Sequence, residues 1–323
     1  MPQNNPKISV IMPSLNVGNY IEQCIKSVLD QTLTDFEIIC IDAGSTDGTV
    51  EILQKYAKED SRIQIINTDK KSYGYQVNLG ISKARGDYIA IVETDDYIDP
   101  KMFETLYNLN ENNTVDIIKG NFYHQYDYQD NTFTLNIDQA KDRLENNSSF
   151  TLDDEPLFIE GHPSIWSGIY RRKFLEENNI KLLEEPAGGW VDNPFFYETA
   201  MLARKIRYIP DAFYYYRESN PNSSSNTFSS FTLPMNRVLD IFDVFNKHDY
   251  KNKDVEKLFY NRLFRYIEII LENNNMDIKN LDMPTRRSIN KVLKQVDENK
   301  VKKLKPNFQK LYYKYSSPLF IIE

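Results

Sequence analysis

The sequence predicts an α/β protein in which a mostly parallel sheet is flanked by helices, followed by a C-terminal helical subdomain. Within residues 7–123, apolar runs that end in turn signals alternate with segments of helical spacing, which is typical of parallel strands joined by crossover helices. From Leu233 onward glycine is absent and the apolar residues recur at helical spacing. These two observations separate a β-α portion from an all-helical portion.

Four short apolar runs fit central strands: residues 8–12, 36–41, 63–66 and 88–92. Helical spacing between them predicts helices over residues 21–29, 50–57 and 73–84. Because crossover connections are right-handed, this order brings the carboxyl ends of the strands to one edge of the sheet. Residues 115–122 predict a further strand.

Carboxylates directly follow two of these strands. Asp42 ends the second strand, and Glu93, Asp95 and Asp96 follow the fourth. Parallel sheets bind ligands at this edge, and acidic pairs at the end of an apolar strand are costly unless something binds them. The pattern predicts a site for a nucleotide diphosphate with a divalent metal. A structural alternative is that the pair caps the helix beginning near Pro100.

Composition narrows the function further. The chain has 323 residues, 41% of them hydrophobic, which is enough for a sizeable core. A net charge of -8 and a pI near 5.2 argue against a nucleic-acid partner. Cys24 and Cys40 are the only cysteines, and neither a leader nor a run of ~20 apolar residues is visible. We therefore expect a cytoplasmic protein.

Five motifs, in this order, resemble the family 2 glycosyltransferases, which have the Rossmann-like GT-A fold. They are VIMPSLN at 10–16, DAGSTDGT at 42–49, NLG at 78–80, ARGDY at 84–88 and TDD at 94–96, and the match covers roughly residues 7–220. The resemblance implies an inverting transferase that moves a sugar from a nucleotide donor, most simply a UDP-sugar. The acceptor would be a hydroxyl of a saccharide or lipid-linked glycan in cell-surface polysaccharide synthesis.

The resemblance also implies roles for individual residues. Its nucleotide pocket corresponds to Pro13, Ser14, Asn16, Asp42, Gln76, Asn78 and Asp95. Ala43 stands where the family often has a second acidic residue, and Glu93 replaces a commoner Asp in the metal motif. Asp95 and Asp96 would bind Mn²⁺ or Mg²⁺, because a hard cation on oxygen ligands offsets the charge growing on the leaving diphosphate.

Inverting transfer requires a base for the acceptor hydroxyl. Asp192 lies in a segment that resembles the family's acidic residue at a helix start followed by aromatics, and we predict that it is this base. The alternative is an ordinary helix cap, with Pro194 in the first turn.

Four further residues are candidates for donor or acceptor contacts, each with a structural alternative. His162, Trp166 and Trp190 suit a sugar ring but equally a packed interior. Arg217 suits a bidentate phosphate contact, and residues 222–225 resemble a mobile segment that closes over the diphosphate in related enzymes; a solvated loop is the alternative.

We expect a catalytic domain over residues 1–230, with a nucleotide half at about 7–123 and an acceptor half at about 124–230, and a helical subdomain over 231–323. Residues 291–314 carry eight lysines against two acidic residues. This tail either contacts an anionic membrane or packs on the catalytic domain or a second subunit of a homo-oligomer, and we favour packing.

The loop at residues 14–20 argues against two rival functions. It has no cation for a nucleotidyltransferase and no Gly-x-Gly-x-x-Gly for an oxidoreductase. Ala43 and Glu93 motivate the remaining alternative, a degenerate non-catalytic GT-A scaffold or a subunit that binds nucleotide sugars.

Overall fold

The computed structural model describes residues 5–128, 133–138, 144, 148–186, 189–220, 231–274 and 280–316. The chain divides into two compact units, Met1–Thr227 and Phe228–Glu323. The first unit contains the sheet and the second contains helices only within its described residues.

The sheet of the first unit has nine strands in its described part. They are β1 (Ile8–Ser14), β2 (Phe36–Asp42), β3 (Ile63–Asn67), β4 (Tyr88–Ile91), β5 (Tyr97–Ile98), β6 (Ile117–Asp127), β7 (Phe133–Ile137), β8 (Gly168–Arg171) and β9 (Ile206–Arg217). Helices flank it: α1 (Ile21–Leu29), α2 (Thr49–Glu59), α3 (Tyr73–Lys83), α4 (Met102–Tyr107), α5 (Arg172–Glu177), α6 (Asp192–Leu202) and one 3-10 turn at Pro156–Ile159.

The strand order is β3-β2-β1-β4-β8-β6-β9-β5, with β7 paired to β6. The strands β1 to β4 pair in parallel, as do β6 and β9. The pairs β4–β8, β6–β8, β6–β7 and β5–β9 are antiparallel. The predicted α/β architecture is confirmed, and its parallel character belongs mainly to the first four strands.

The pairing register of β1, β2 and β3 aligns the carboxyl ends of these three strands. Ser14 of β1 lies opposite Asp42 of β2, and Asp42 lies opposite Asn67 of β3. All seven residues of both β1 and β2 are buried, because helices cover both faces of the sheet. The polar ends of buried strands therefore meet at one edge, as expected for a ligand site in such a sheet.

The strand β9 has no counterpart in the sequence-based prediction. Its aromatic and β-branched content is typical of a strand, but Pro210 interrupts the run, and a proline within such a run weakens a strand assignment. The structure accommodates this with shifts in the β6–β9 register between Lys119 and Phe122. The expected strand at residues 115–122 is likewise longer, extending as β6 to Asp127.

The second unit consists of α7 (Leu233–Lys247), α8 (Lys253–Glu272), α9 (Met283–Leu293), α10 (Glu298–Val301) and α11 (Pro306–Tyr315) in its described part. Aromatic contacts hold these helices together. The rings of Phe242 and Phe259 meet edge to face at 5.0 Å, and those of Phe264 and Phe308 stack at 5.5 Å.

The lysine-rich stretch at 291–314 forms part of this helical unit. Its apolar side chains, including Val292, Leu304 and Phe308, are buried, and α11 packs on α8 and α9. Most of its lysines are exposed. Among the described residues, no helix is long and apolar enough to cross a bilayer.

Candidate active site

The loop after β2 is organised by side chains from the two central strands. Asp42 is buried; its Oδ2 accepts hydrogen bonds from the backbone N–H groups of Gly44 and Ser45 at 2.9 Å each, and its Oδ1 accepts one from the Ser45 hydroxyl. Asn16, at a φ of 54°, accepts from the Thr46 N–H and donates its own N–H to the Ser45 hydroxyl. These contacts fix the shape of the predicted nucleotide pocket.

The helix α3 holds this edge of the sheet from one side. The Gln76 amide donates to the carbonyls of Ser14 and Ile41 at 2.9 and 2.7 Å and is buried. Asn78 donates to the Leu182 carbonyl and accepts from the Leu182 N–H. The structure thus places Gln76 between β1 and β2, and gives Asn78 the role of attaching a distant segment to α3.

The acidic segment after β4 is anchored at its ends and its middle. The Thr94 hydroxyl donates to the carbonyl of Pro13 at 2.7 Å, and the Glu93 N–H donates to the Tyr214 hydroxyl at 3.1 Å. The Asp95 carboxylate accepts from the Asn220 amide at 2.8 Å. The chain is therefore held on β1 and on the region of β9, with the Glu93 and Asp95 side chains half-buried.

Asp96 differs from Asp95 in its surroundings. It is 1% exposed, and its two oxygens accept from the Tyr214 hydroxyl at 2.9 Å and the Arg217 N–H at 2.8 Å. Burial raises the pKa of Asp96, and the neighbouring Asp95 charge adds to this. These contacts give Asp96 a structural role at the end of β9, and metal binding by this residue stays a prediction.

Asp192 is the first residue of α6, after a helix-capping position occupied by Val191 without a side-chain cap. It lies close to the acidic segment. Burial raises the pKa of Glu93 to about 8, and the charges of Asp95 and Asp192 act in the same direction, against the hydrogen bond donated by the Tyr73 hydroxyl. Burial also raises the pKa of Tyr73, with contributions from Glu93 and Asp192. Two carboxylates, Glu93 and Asp192, thus act on the same tyrosine.

The Arg217 guanidinium, predicted to contact a diphosphate, is bound within the protein. It donates to the Asp127 carboxylate at 2.6 Å, to the Gln23 side chain at 2.8 Å and to the Asp95 carbonyl at 3.1 Å. Its side chain is nearly buried, so the arginine secures the acidic segment to α1 and β6. Residues 222–225, the predicted closing segment, lie outside the described residues.

The aromatic candidates occupy different environments. Trp166 is 4% exposed and stacks on Tyr214 at 4.2 Å and Tyr216 at 5.1 Å, which matches the packing alternative. His162 belongs to the same cluster, 5.5 Å from the Tyr216 ring. Trp190 is half-buried, and its positive φ of 60° places a strained residue directly before the segment that carries Asp192.

Sequence reasoning missed the residues that hold the acidic segment, above all Tyr214, Asn220 and Asp127. They come from β9, the turn after it and the end of β6. The available signal was the run of three tyrosines that precedes Arg217, which is typical of a strand rather than a loop.

His124 bridges two carboxylates where β6 and β9 run side by side. Its Nε2 lies 3.2 Å from Asp138 and its Nδ1 lies 2.7 Å from Glu218. These hydrogen bonds, first that of Asp138, raise the pKa of His124 from 6.5 to about 9. The folded pKa lies above the unfolded value, so the stabilisation is fully present below about pH 6.5 and is lost as the pH rises through about 9.

We expect His124→Gln to lower the free energy of unfolding on the order of 2 kcal/mol at slightly acid pH, because a neutral amide loses the charge attraction of both carboxylates. Near pH 10 the difference from the wild type shrinks, since the histidine itself is then neutral. Urea denaturation at both pH values measures this. An equal difference at both would contradict the bridging role.

The acidic segment suits a hard divalent cation, although the described residues contain no group of three or more His, Cys, Asp or Glu side chains arranged as a metal site. In enzymes that act on phosphorylated substrates, Mg²⁺ is held by one or two carboxylates, with waters and substrate phosphates as further ligands. Asp95, half-buried just after β4, would supply one such carboxylate, and metal binding by it stays a prediction.

Comparison with known proteins accords with this geometry. Residues 9–178, more than half of the chain, match the family described as Glycosyl transferase family 2. The chain belongs to this family. Its match to the uncharacterized glycosyltransferase EpsJ of Bacillus subtilis has 33% identity over 79% of this chain and 70% of that protein. Its match to the glycosyltransferase GlyG of Streptococcus pneumoniae also has 33% identity, over 74% and 78% respectively.

The fold of this glycosyltransferase is similar to that of S. aureus TarS, whose structure was solved in complex with UDP-GlcNAc. It superposes with a TM-score of 0.77 over 98% of this chain and 88% of that chain, at 18% identity. This likeness confirms the GT-A fold class. The mannosyltransferase PcManGT of Pyrobaculum calidifontis, solved with GDP-Man and Mn²⁺, matches with a TM-score of 0.55 and 13% identity.

Proposed function

We propose that this glycosyltransferase moves a sugar from a UDP-sugar to a hydroxyl of a saccharide or lipid-linked glycan, with inversion and with the help of Mn²⁺ or Mg²⁺. The observation that carries the proposal is the half-buried acidic segment with Glu93 and Asp95 just after β4, where the charge of Asp192 also acts on Glu93. The process to which we assign this reaction is the synthesis of cell-surface polysaccharides.

The nucleotide would lie along the loop that Asn16 and Asp42 shape. The Asp42 oxygens are already engaged by Gly44 and Ser45, so Asp42 would serve the nucleotide by holding this loop in shape. Ala43 is fully buried and offers no carboxylate. The UDP complex of the fold relative TarS supports uracil as the base.

Asp95 is the carboxylate we assign to the metal, in preference to the internally bonded Asp96. The cation, when bound, stabilises the negative charge that grows on the leaving diphosphate. Two hydrogen bonds orient this part of the site. Asn220 donates to the Asp95 carboxylate, and Tyr73 donates to the Glu93 carboxylate.

Asp192 is the proposed base. It is the first residue of α6, and its charge acts on Glu93 and Tyr73, which supports a role beside the acidic segment. It would take the proton of the acceptor hydroxyl as that oxygen attacks the anomeric carbon from the face opposite the leaving diphosphate.

Thermal unfolding with UDP, GDP and ADP, each with and without Mn²⁺, tests the donor site. A nucleotide present at 100 times its dissociation constant stabilises the fold by about 2.7 kcal/mol. We expect stabilisation by UDP that grows when Mn²⁺ is added and disappears with EDTA. Failure of all three nucleotides would contradict the proposal and favour the non-catalytic scaffold.

A further inference from the structure

A pocket of about 650 Å³ opens beside α1 and the edge strand β5, outside the site described above. Its volume lies within the ~300–1,000 Å³ typical of small-molecule sites. One wall is formed by a face of α1 and by its last turn. The other is formed by β5, the turn that follows β5, and Tyr215 of β9. None of these lining residues has a role in the proposed transfer.

The polar lining favours a neutral, hydroxyl-rich ligand. Asn19 and Gln23 supply amides, and Asp30 and Asp99 supply carboxylates, so donors and acceptors are mixed as sugar hydroxyls require. Lys26 is the cation among the described lining residues, and its ammonium lies 3.3 Å from the Glu22 carboxylate. A phosphate or nucleotide would meet an excess of negative charge here.

The second wall is aromatic. Tyr97 and Tyr215 lie opposite each other on paired strands, with their rings stacked at 4.4 Å, and Tyr123 continues the row on Tyr215 at 5.2 Å. The Tyr97 hydroxyl donates to Gln125 at 2.6 Å, which holds the ring in place. Because the rings cover one another's faces, the row offers a ligand mainly ring edges, in fixed positions and at little cost in side-chain entropy.

One side chain joins this pocket to the acidic segment. The Arg217 guanidinium donates to Gln23 in the pocket wall and to the carbonyl of Asp95, and it lies 6.0 Å from the Tyr97 ring. The pocket wall and the acidic segment therefore share one arginine.

We propose that this pocket is a saccharide-binding subsite, which holds a sugar unit of the acceptor glycan away from the unit that receives the transferred sugar. The acceptor assignment rests on the proposed transferase function, whereas saccharide binding as such does not. The subsite would let the enzyme select its acceptor by a sugar beyond the reacting one, and would retain a glycan that grows.

Binding of neutral oligosaccharides built of glucose, galactose and N-acetylglucosamine units, measured by saturation-transfer NMR and calorimetry without donor, tests the subsite. Asp30→Arg places a long cationic side chain at the pocket from the exposed end of α1, and Asn19→Tyr narrows it from the other end. Asp35→Arg makes the same charge change at an exposed residue outside the lining and is the matched control.

We expect at least one oligosaccharide to bind the wild type and the control equally, and both pocket variants to bind it at least about tenfold more weakly, about 1.4 kcal/mol. Stabilisation by UDP with Mn²⁺ should be equal in all four proteins, so a failure of the donor site is seen separately. Three results would overturn the subsite. They are no binding of any glycan, equal glycan binding by the wild type and the pocket variants, and binding of the cation spermidine but of no glycan.

Discussion

Asp192→Asn is expected to bind the nucleotide donor as the wild type does and to transfer sugar about 10²–10⁴-fold more slowly. The amide has nearly the shape of the carboxylate but cannot accept the acceptor's proton. Asp192 is half-buried at the start of α6, whose capping position makes no side-chain hydrogen bond, so the amide should leave the fold unaffected. Initial rates with saturating donor and acceptor measure the loss.

The control for this variant is Asp211→Asn, which makes the same chemical change at an exposed position of β9. It should leave both rate and affinity unchanged. If Asp192→Asn instead abolished UDP binding while residual turnover per bound donor stayed normal, Asp192 would belong to the donor pocket, and the base would have to be sought elsewhere on α6.

The second large effect concerns the acidic pair. We expect Asp95→Asn to remove the metal-dependent part of UDP binding and to slow transfer by about 10²–10³-fold, since charge stabilisation by the cation is worth several kcal/mol. The asparagine can still meet the Asn220 amide, so the melting temperature without ligand should change little. Thermal unfolding with and without UDP and Mn²⁺ separates the two effects.

Asp96→Ala provides the contrast. It leaves the Tyr214 hydroxyl and the Arg217 N–H without their buried acceptor, at a cost of about 1–3 kcal/mol for each. We expect a clear loss of stability in urea denaturation, with activity falling because the acidic segment is released. A variant as stable as the wild type that no longer responds to Mn²⁺ would return Asp96 to the role of a metal ligand.

The first half of the fold could be predicted from the sequence because its signals are local. Runs such as 8–12 and 36–41 are apolar except for Ser9 and Glu37, and they end near the residues where the chain must turn. The second half gave weaker signals: β8 has only four residues, β5 only two, and β9 contains a proline. Their positions depend on pairing with distant strands, which no local pattern encodes.

The candidate site divides in the same way. The positions of Asp42, Asp95 and Asp192 follow from motifs, and the structure brings Asp95 and Asp192 close to Glu93. What motifs could not reveal is which groups are already engaged. Arg217 and Asn78 have the chemistry for phosphate and nucleotide contacts, yet both are bound to protein groups far away in sequence.

The anchoring of the acidic segment by β9 has a consequence for how this protein matures. Asp96 accepts its hydrogen bonds from residues 118 and 121 positions later in the chain, beyond the segment 9–178 that matches the family. During synthesis the central strands can pair long before Tyr214 and Arg217 have left the ribosome. The nascent polypeptide therefore carries the acidic segment without its final anchors, and this segment reaches its folded arrangement only when the last strand joins the sheet.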